Sequence, residues 1–146
     1  MKIVKKRALI AVKSIQDNEK NDAIEVVTPG NFYKKDDSYY VRYEETEISG
    51  MEGTTTTMKI TSDSITLTRK GTTNSKMTFK KNSRDIVMYG TPHGILEFLL
   101  DTKKIDIDLN DEGGNISATY NMFLGEGEPL KTLLRVEIKP QDQEWQ

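Results

Sequence analysis

Arg69 is the residue with the most chemistry to offer. In Ser64-Ile65-Thr66-Leu67-Thr68-Arg69-Lys70 apolar and polar residues alternate, so Ile65, Leu67 and Arg69 share one face and Lys70 takes the other. A guanidinium carried inward needs an acceptor, and a carboxylate matches its fork of donors. Glu44 or Glu45 could supply one. Such an arginine either binds an anion inside the fold or, more commonly, locks the fold through a structural pair or snorkels to solvent. The stretch Tyr39-Tyr40-Val41-Arg42-Tyr43-Glu44-Glu45 is the second candidate. Tyr39, Val41, Tyr43 and Glu45 form one of its faces; Tyr40, Arg42 and Glu44 form the other. Tyrosines give a cavity both apolar wall and polar tip, although cross-strand tyrosines also stabilise sheets by simple pairing. With Tyr89 and Tyr120 added, the ligand-binding candidates are Arg69, Tyr43, Glu45, Glu44, Tyr89 and Tyr120.

Other chemistries are weaker. His93 is the single histidine and lies in Pro92-His93-Gly94, which reads as a surface turn rather than a metal ligand or catalytic base. Asp106-x-Asp108-x-Asn110-Asp111 is similar to the opening of a calcium loop. Asp111 stands where such a loop needs glycine, however, and Ser117 where it needs a bidentate glutamate. The two aspartates alternate with Ile105, Ile107 and Leu109, as the solvent face of a strand would. Gly125-Glu126-Gly127-Glu128 carries its own negative charge and would repel a phosphate. Asn115-Ile116-Ser117 fits the glycosylation triplet, but no secretory signal accompanies it. The chain has no cysteine, which removes disulfides, thiolate metal sites and thiol nucleophiles together. We expect no catalytic residue, no metal and no cofactor. An acid–base enzyme using Glu44, Glu45 and tyrosines is the weakest of the functional readings, because it would need a strongly perturbed carboxylate in a pocket.

These residues must be positioned by strands. Leu134, Val136 and Ile138 alternate with Arg135, Glu137 and Lys139, and Ile116, Ala118, Tyr120, Met122 and Leu124 alternate with Ser117, Thr119 and Asn121. Together with 64–70 and 105–109, further strands are expected over 4–16, 23–28, 31–35, 38–48, 54–62, 75–81, 85–91 and 95–102, about twelve in all. Turn chemistry separates them at Pro29-Gly30, Asp36-Asp37, Gly71 to Asn74, Pro92 to Gly94, Gly113 to Asn115 and Gly125 to Pro129. Residues 95–101 are the best helix candidate, but they sit between strand signals. Many short strands with one apolar face point to a sandwich or a closed antiparallel barrel, and closure would also protect the sheet edges. Inward Met58, Ile60, Met77, Phe79, Phe98, Leu100, Tyr120 and Met122 lean towards a filled interior.

With 146 residues, one domain is expected over 1–146, with 139–146 as a loose C-terminal tail. A net charge of -2 and a pI near 5.5 argue against a general nucleic-acid binder, which concentrates Lys and Arg on one face. The longest N-terminal apolar run, Ala8 to Val12, is too short for a signal-peptide core or a membrane span. A cytoplasmic location, no nucleic-acid partner, no membrane partner and a possible homodimer are the expectations.

Three stretches carry a family resemblance: Gly30-Asn31-Phe32-Tyr33 through Tyr39 to Thr46, Thr68-Arg69-Lys70-Gly71, and Met88-Tyr89-Gly90-Thr91-Pro92-His93-Gly94. In order and spacing the chain resembles the YwiB-like family, small bacterial proteins with a domain of unknown function. The resemblance covers nearly the whole chain and implies an all-β, calycin-type, lipocalin-like antiparallel barrel in the bacterial cytoplasm. It implies no activity. True lipocalins carry Gly-x-Trp near the N-terminus, whereas the single tryptophan here is Trp145, so their ligand specificity does not transfer. The leading functional expectation is a non-enzymatic barrel for a small, partly apolar ligand, with Arg69 meeting an acidic head group. The alternative is an interaction module with a filled barrel, contacting a partner through its rim or through an exposed Thr54–Thr57 strand.

Overall fold

Period-two alternation becomes burial. In Leu130–Pro140 the side chains of Thr132, Leu134, Val136 and Ile138 are buried, while Lys131, Arg135 and Lys139 are exposed. The computed structural model describes residues 5–16 and 23–141. They form ten strands: β1 (Lys6–Gln16), β2 (Ile24–Lys35), β3 (Ser38–Glu44), β4 (Thr54–Ile60), β5 (Ser64–Gly71), β6 (Ser75–Lys80), β7 (Arg84–Thr91), β8 (Gly94–Asn110), β9 (Gly113–Phe123) and β10 (Leu130–Pro140).

The hydrogen-bonded order is β6-β5-β4-β3-β2-β1-β10-β9-β8-β7, and every pairing is antiparallel. The chain thus runs up and down in sequence order, and the first and last strands pair from Ala8↔Pro140 to Gln16↔Thr132. The two remaining edges, β6 and β7, meet at a seam. At one end Asn74 and Gly90 exchange both backbone hydrogen bonds, at 2.9 and 2.8 Å; at the other, Asn82 N–H donates to the Thr102 carbonyl and Thr102 N–H to the Ser83 carbonyl, both at 3.0 Å. The result is a nearly closed barrel, its β6 and β7 edges brought together at the two ends of the seam. Its core is filled by Ile10, Phe32, Val41, Met58, Ile60, Ile65, Phe79 and Leu100, all essentially inaccessible, each worth about 1.5–3 kcal/mol on burial. Phe79 packs against Tyr120 with ring centroids 4.8 Å apart.

Ten strands replace the expected twelve because two breaks are strand interior. Pro29-Gly30 is no turn: β2 runs straight through it. Gly30 is there for space, since a Cβ would stand 2.5 Å from the Arg42 carbonyl oxygen of β3 and 3.1 Å from Ile10 and Tyr43. Residues 95–102 and 105–109 likewise fuse into β8, the break becoming a register shift between Thr102 and Lys104, as a bulge produces. No helix forms over 95–101. β3 ends at Glu44 rather than 48, because Thr46 caps a short 3-10 turn, Glu47–Ser49, accepting from Ile48 N–H at 3.3 Å. Gly113 to Asn115 belong to β9, the turn being Asp111-Glu112. Asp36 and Asp37 do turn, with φ of 52° and 68°, the left-handed pair that a two-residue hairpin demands. The tail does not begin at 139: Lys139 and Pro140 are in β10, and Gln141 N–H still donates to the Arg7 carbonyl at 2.7 Å. Val4 and Trp145 lie outside the described residues. Among the described residues, no helix is long and apolar enough to cross a membrane.

Candidate interior binding site

One end of the barrel is not filled. Where Gln16, Ile24, Glu45, Arg69 and Tyr89 converge, a cavity of about 330 Å³ remains, walled by Leu67, Met77, Phe79, Tyr120 and Leu134. The floor is the packed core. The connection between β3 and β4 supplies Ser49 and Met51 to the same lining, and the Tyr89 hydroxyl donates to Met51 Sδ at 3.5 Å.

The polar centre follows from alternation on three neighbouring strands. Tyr43 and then Glu45 continue the inward face of Val41; Thr56 continues that of Met58; Arg69 that of Leu67. Thr56 and Arg69 are directly paired in the β4–β5 ladder. The Thr56 hydroxyl donates to Glu45 Oε2, and Arg69 Nε lies 3.7 Å from the same oxygen. Glu45 is 4% exposed and Arg69 14%, so the pair is screened little by water. Glu45 N–H is satisfied by the Thr54 carbonyl at 2.8 Å. Among the described residues the Arg69 guanidinium has this ion pair but no hydrogen bond to a protein acceptor.

Two phenols complete the electrostatics. Burial, and then the charge of Glu45, push the Tyr43 hydroxyl well above the ordinary tyrosine range. Burial pushes Tyr120 up to about 12, with Arg69 pulling the other way. Both are neutral at physiological pH, so each offers one donor and acceptor lone pairs. The site can therefore hold a polar head group against a guanidinium fork and phenols, with apolar wall beneath. Among the described residues no three metal-ligating side chains cluster.

Of the candidates read from the sequence, Arg69, Tyr43, Glu45, Tyr89 and Tyr120 meet in this cavity. Glu44 does not. It projects outward and is exposed, accepting from the Thr55 hydroxyl at 2.9 and 3.0 Å, because neighbours in a strand face opposite ways. The expected exposed Thr54–Thr57 strand is corrected for the same reason, since Thr54 and Thr56 are wholly buried. Thr56 was legible by extending the Met58 and Ile60 face backwards. Ser49 and Met51 come from an aperiodic connection and carried no such signal. His93 sits exposed in the β7–β8 turn, its N–H donating to Thr91 Oγ1 at 3.1 Å. Asp106 and Asp108 lie on the outer surface.

The family whose members are described by a domain of unknown function (DUF1934) matches residues 10–136. This chain belongs to the DUF1934 family. The uncharacterized beta-barrel protein YwiB of Bacillus subtilis (strain 168) is 32% identical to it over 117 residues, covering 79% of this chain and 80% of that one. The crystal structure of the ywiB protein from Bacillus subtilis superimposes with a TM-score of 0.83 at 25% identity, covering 94% of each chain. The resemblance carried by the Tyr39–Thr46, Thr68–Gly71 and Met88–Gly94 stretches is thus shown, and with it the all-β barrel. The DUF1934 description assigns no activity.

Proposed function

We propose that this DUF1934 barrel is a non-enzymatic, cytoplasmic binding protein of calycin type. Its cavity takes a small, partly apolar ligand whose acidic head group meets Arg69. The observation that carries the reading is the placement of Arg69 in a space of about 330 Å³ where, among the described residues, Glu45 is its one counter-charge, 3.7 Å away. Glu45 engages the guanidinium from its Nε side, which leaves the outer edge of the fork open to a second, bidentate acceptor. Leu67, Met77, Phe79 and Leu134 suit the apolar remainder of such a ligand. The volume is at the small end of the range for ligand pockets, roughly 300–1,000 Å³, which favours a compact molecule.

Native mass spectrometry of protein purified gently from its own cells tests this. The expected result is a stoichiometric small-molecule adduct that Arg69→Ala sheds while remaining folded. A clean unliganded mass, together with no thermal shift from any panel of small aromatic or branched aliphatic carboxylates, would overturn it. A reproducible partner complex in that case would favour the filled-barrel interaction module, which the packed half of the core also supports.

A further inference from the structure

The outer surface of β2 to β6 has a character that the overall charge conceals. Registers align outward residues in rows across the strands: Tyr33, Tyr40, Lys59 and Thr66 in one, Asn31, Arg42, Thr57, Thr68 and Lys76 in the next, Thr55 and Lys70 in a third. The short threonines at the centre leave a groove of about 560 Å³, rimmed by Tyr33, Tyr40, Arg42, Lys59, Lys70 and Lys76. Tyr33 and Tyr40 stack with centroids 5.1 Å apart and planes 6° from parallel, and Lys5 Nζ lies over the Tyr33 ring at 5.1 Å. Among the described residues, none of Arg42, Lys59, Lys70 and Lys76 is in an ion pair. Glu44, held by Thr55, borders the groove in the third row. Asp106 and Asp108 are on β8, outside the β2–β6 surface and not among the residues that line the groove. A net charge of -2 therefore coexists with a groove lined by four cations, Arg42, Lys59, Lys70 and Lys76.

We infer that this face binds single-stranded nucleic acid. Unpaired cations around a polar groove track a phosphodiester backbone, and aromatic rings beside them stack unpaired bases without regard to sequence. The threonine hydroxyls donate to and accept from sugars and base edges. An anionic membrane fits less well, since the groove carries no aliphatic side chain to enter a bilayer. This site is on the opposite side of the sheet from the interior cavity and stands independently of it.

The test is fluorescence anisotropy of the full chain with fluorescein-labelled dodecauridylate over a range of salt. Saturable binding is expected, with a slope of log affinity against log salt of about −3, as roughly four phosphate contacts give. The double charge reversal Arg42→Glu/Lys70→Glu should weaken it at least about tenfold, because it removes two contacts and adds repulsion. Tyr40→Ala should weaken binding with the salt slope unchanged, the signature of lost stacking. Lys104→Glu, a single charge reversal on β8 that matches Arg42→Glu alone, should leave affinity unaltered. All four positions are surface-facing, and circular dichroism checks that each variant is folded. No saturable binding at low salt overturns the inference. So does a loss from Lys104→Glu equal to that from Arg42→Glu alone, or equal affinity for a duplex of the same length. Binding to phosphatidylglycerol vesicles without binding to the oligonucleotide, or a self-association abolished by the double reversal with no oligonucleotide binding, also rejects it.

Discussion

Arg69 Nε stands 3.7 Å from Glu45 Oε2 with both side chains largely withdrawn from solvent, so each charge is compensated mainly by the other. Removing one member leaves the other buried and uncompensated. Arg69→Ala is expected to destabilise the barrel by about 3–5 kcal/mol. Glu45→Gln in the same chain should recover part of that loss, so a double-mutant cycle by urea denaturation shows a clear coupling energy. Additive losses would mean that water, not Glu45, balances Arg69.

Alkaline pH should loosen the fold through Tyr120. Its hydroxyl is raised to about 12 in the barrel, chiefly by burial, whereas an unfolded tyrosine titrates near 10. The folded state thus holds the proton more tightly. The contribution, about 3 kcal/mol by linkage, is fully present below pH 10 and is lost as pH rises from 10 through 12. Tyr120→Phe should flatten the fall in denaturation midpoint over that window; an unchanged slope would refute the assignment.

Tyr39 offers a spectroscopic counterpart. Its hydroxyl donates to Asp111 Oδ1 over 2.5 Å, linking the start of β3 to the β8–β9 turn, and this bond is the largest cause of its shift to about 12. Asp111→Asn removes the carboxylate that favours the protonated phenol. Ultraviolet titration should then show one tyrosine moving down towards the ordinary value near 10. Lys6 Nζ donates to the Asp111 backbone carbonyl at 2.8 Å, a contact that the substitution spares.

Gly30→Ala tests the close approach of β2 and β3. The added methyl would meet the Arg42 carbonyl oxygen at 2.5 Å, and backbone cannot step aside as a flexible side chain can. A loss of about 1–3 kcal/mol is expected, read as a lower urea midpoint. Gly50 makes the control: a Cβ there meets nothing within 4 Å, but φ is +79°. Gly50→Asn should therefore be far milder, since asparagine tolerates that conformation.

How much of this was legible in the residues depends on whether period two holds. It held through β5, β9 and β10, so the inward placement of Arg69, Tyr120 and Leu134 could be read directly. It also separates Glu44 from Glu45, which fixes the partner of Arg69 once β3 is taken literally. Pro29-Gly30 misled because glycine signals both turns and close backbone contact, and only the position of Arg42 on the neighbouring strand distinguishes them. The cationic groove was invisible for a related reason. Arg42, Lys59, Lys70 and Lys76 are scattered over 35 positions, and only the inter-strand registers bring them to one surface.

The pairing of β1 with β10 has a consequence during synthesis. The hairpins from β2 to β6 and from β7 to β9 join neighbours in sequence and can form as the chain leaves the ribosome, at about 5–20 residues per second. β1 has its β2 edge satisfied early, but its other edge waits for Leu130–Pro140. For several seconds, therefore, the nascent chain carries a long strand with one open edge, the kind of template that recruits foreign strands. Lys6, Arg7 and Lys13 on that strand place like charges along it, so two nascent copies repel one another until the last strand arrives.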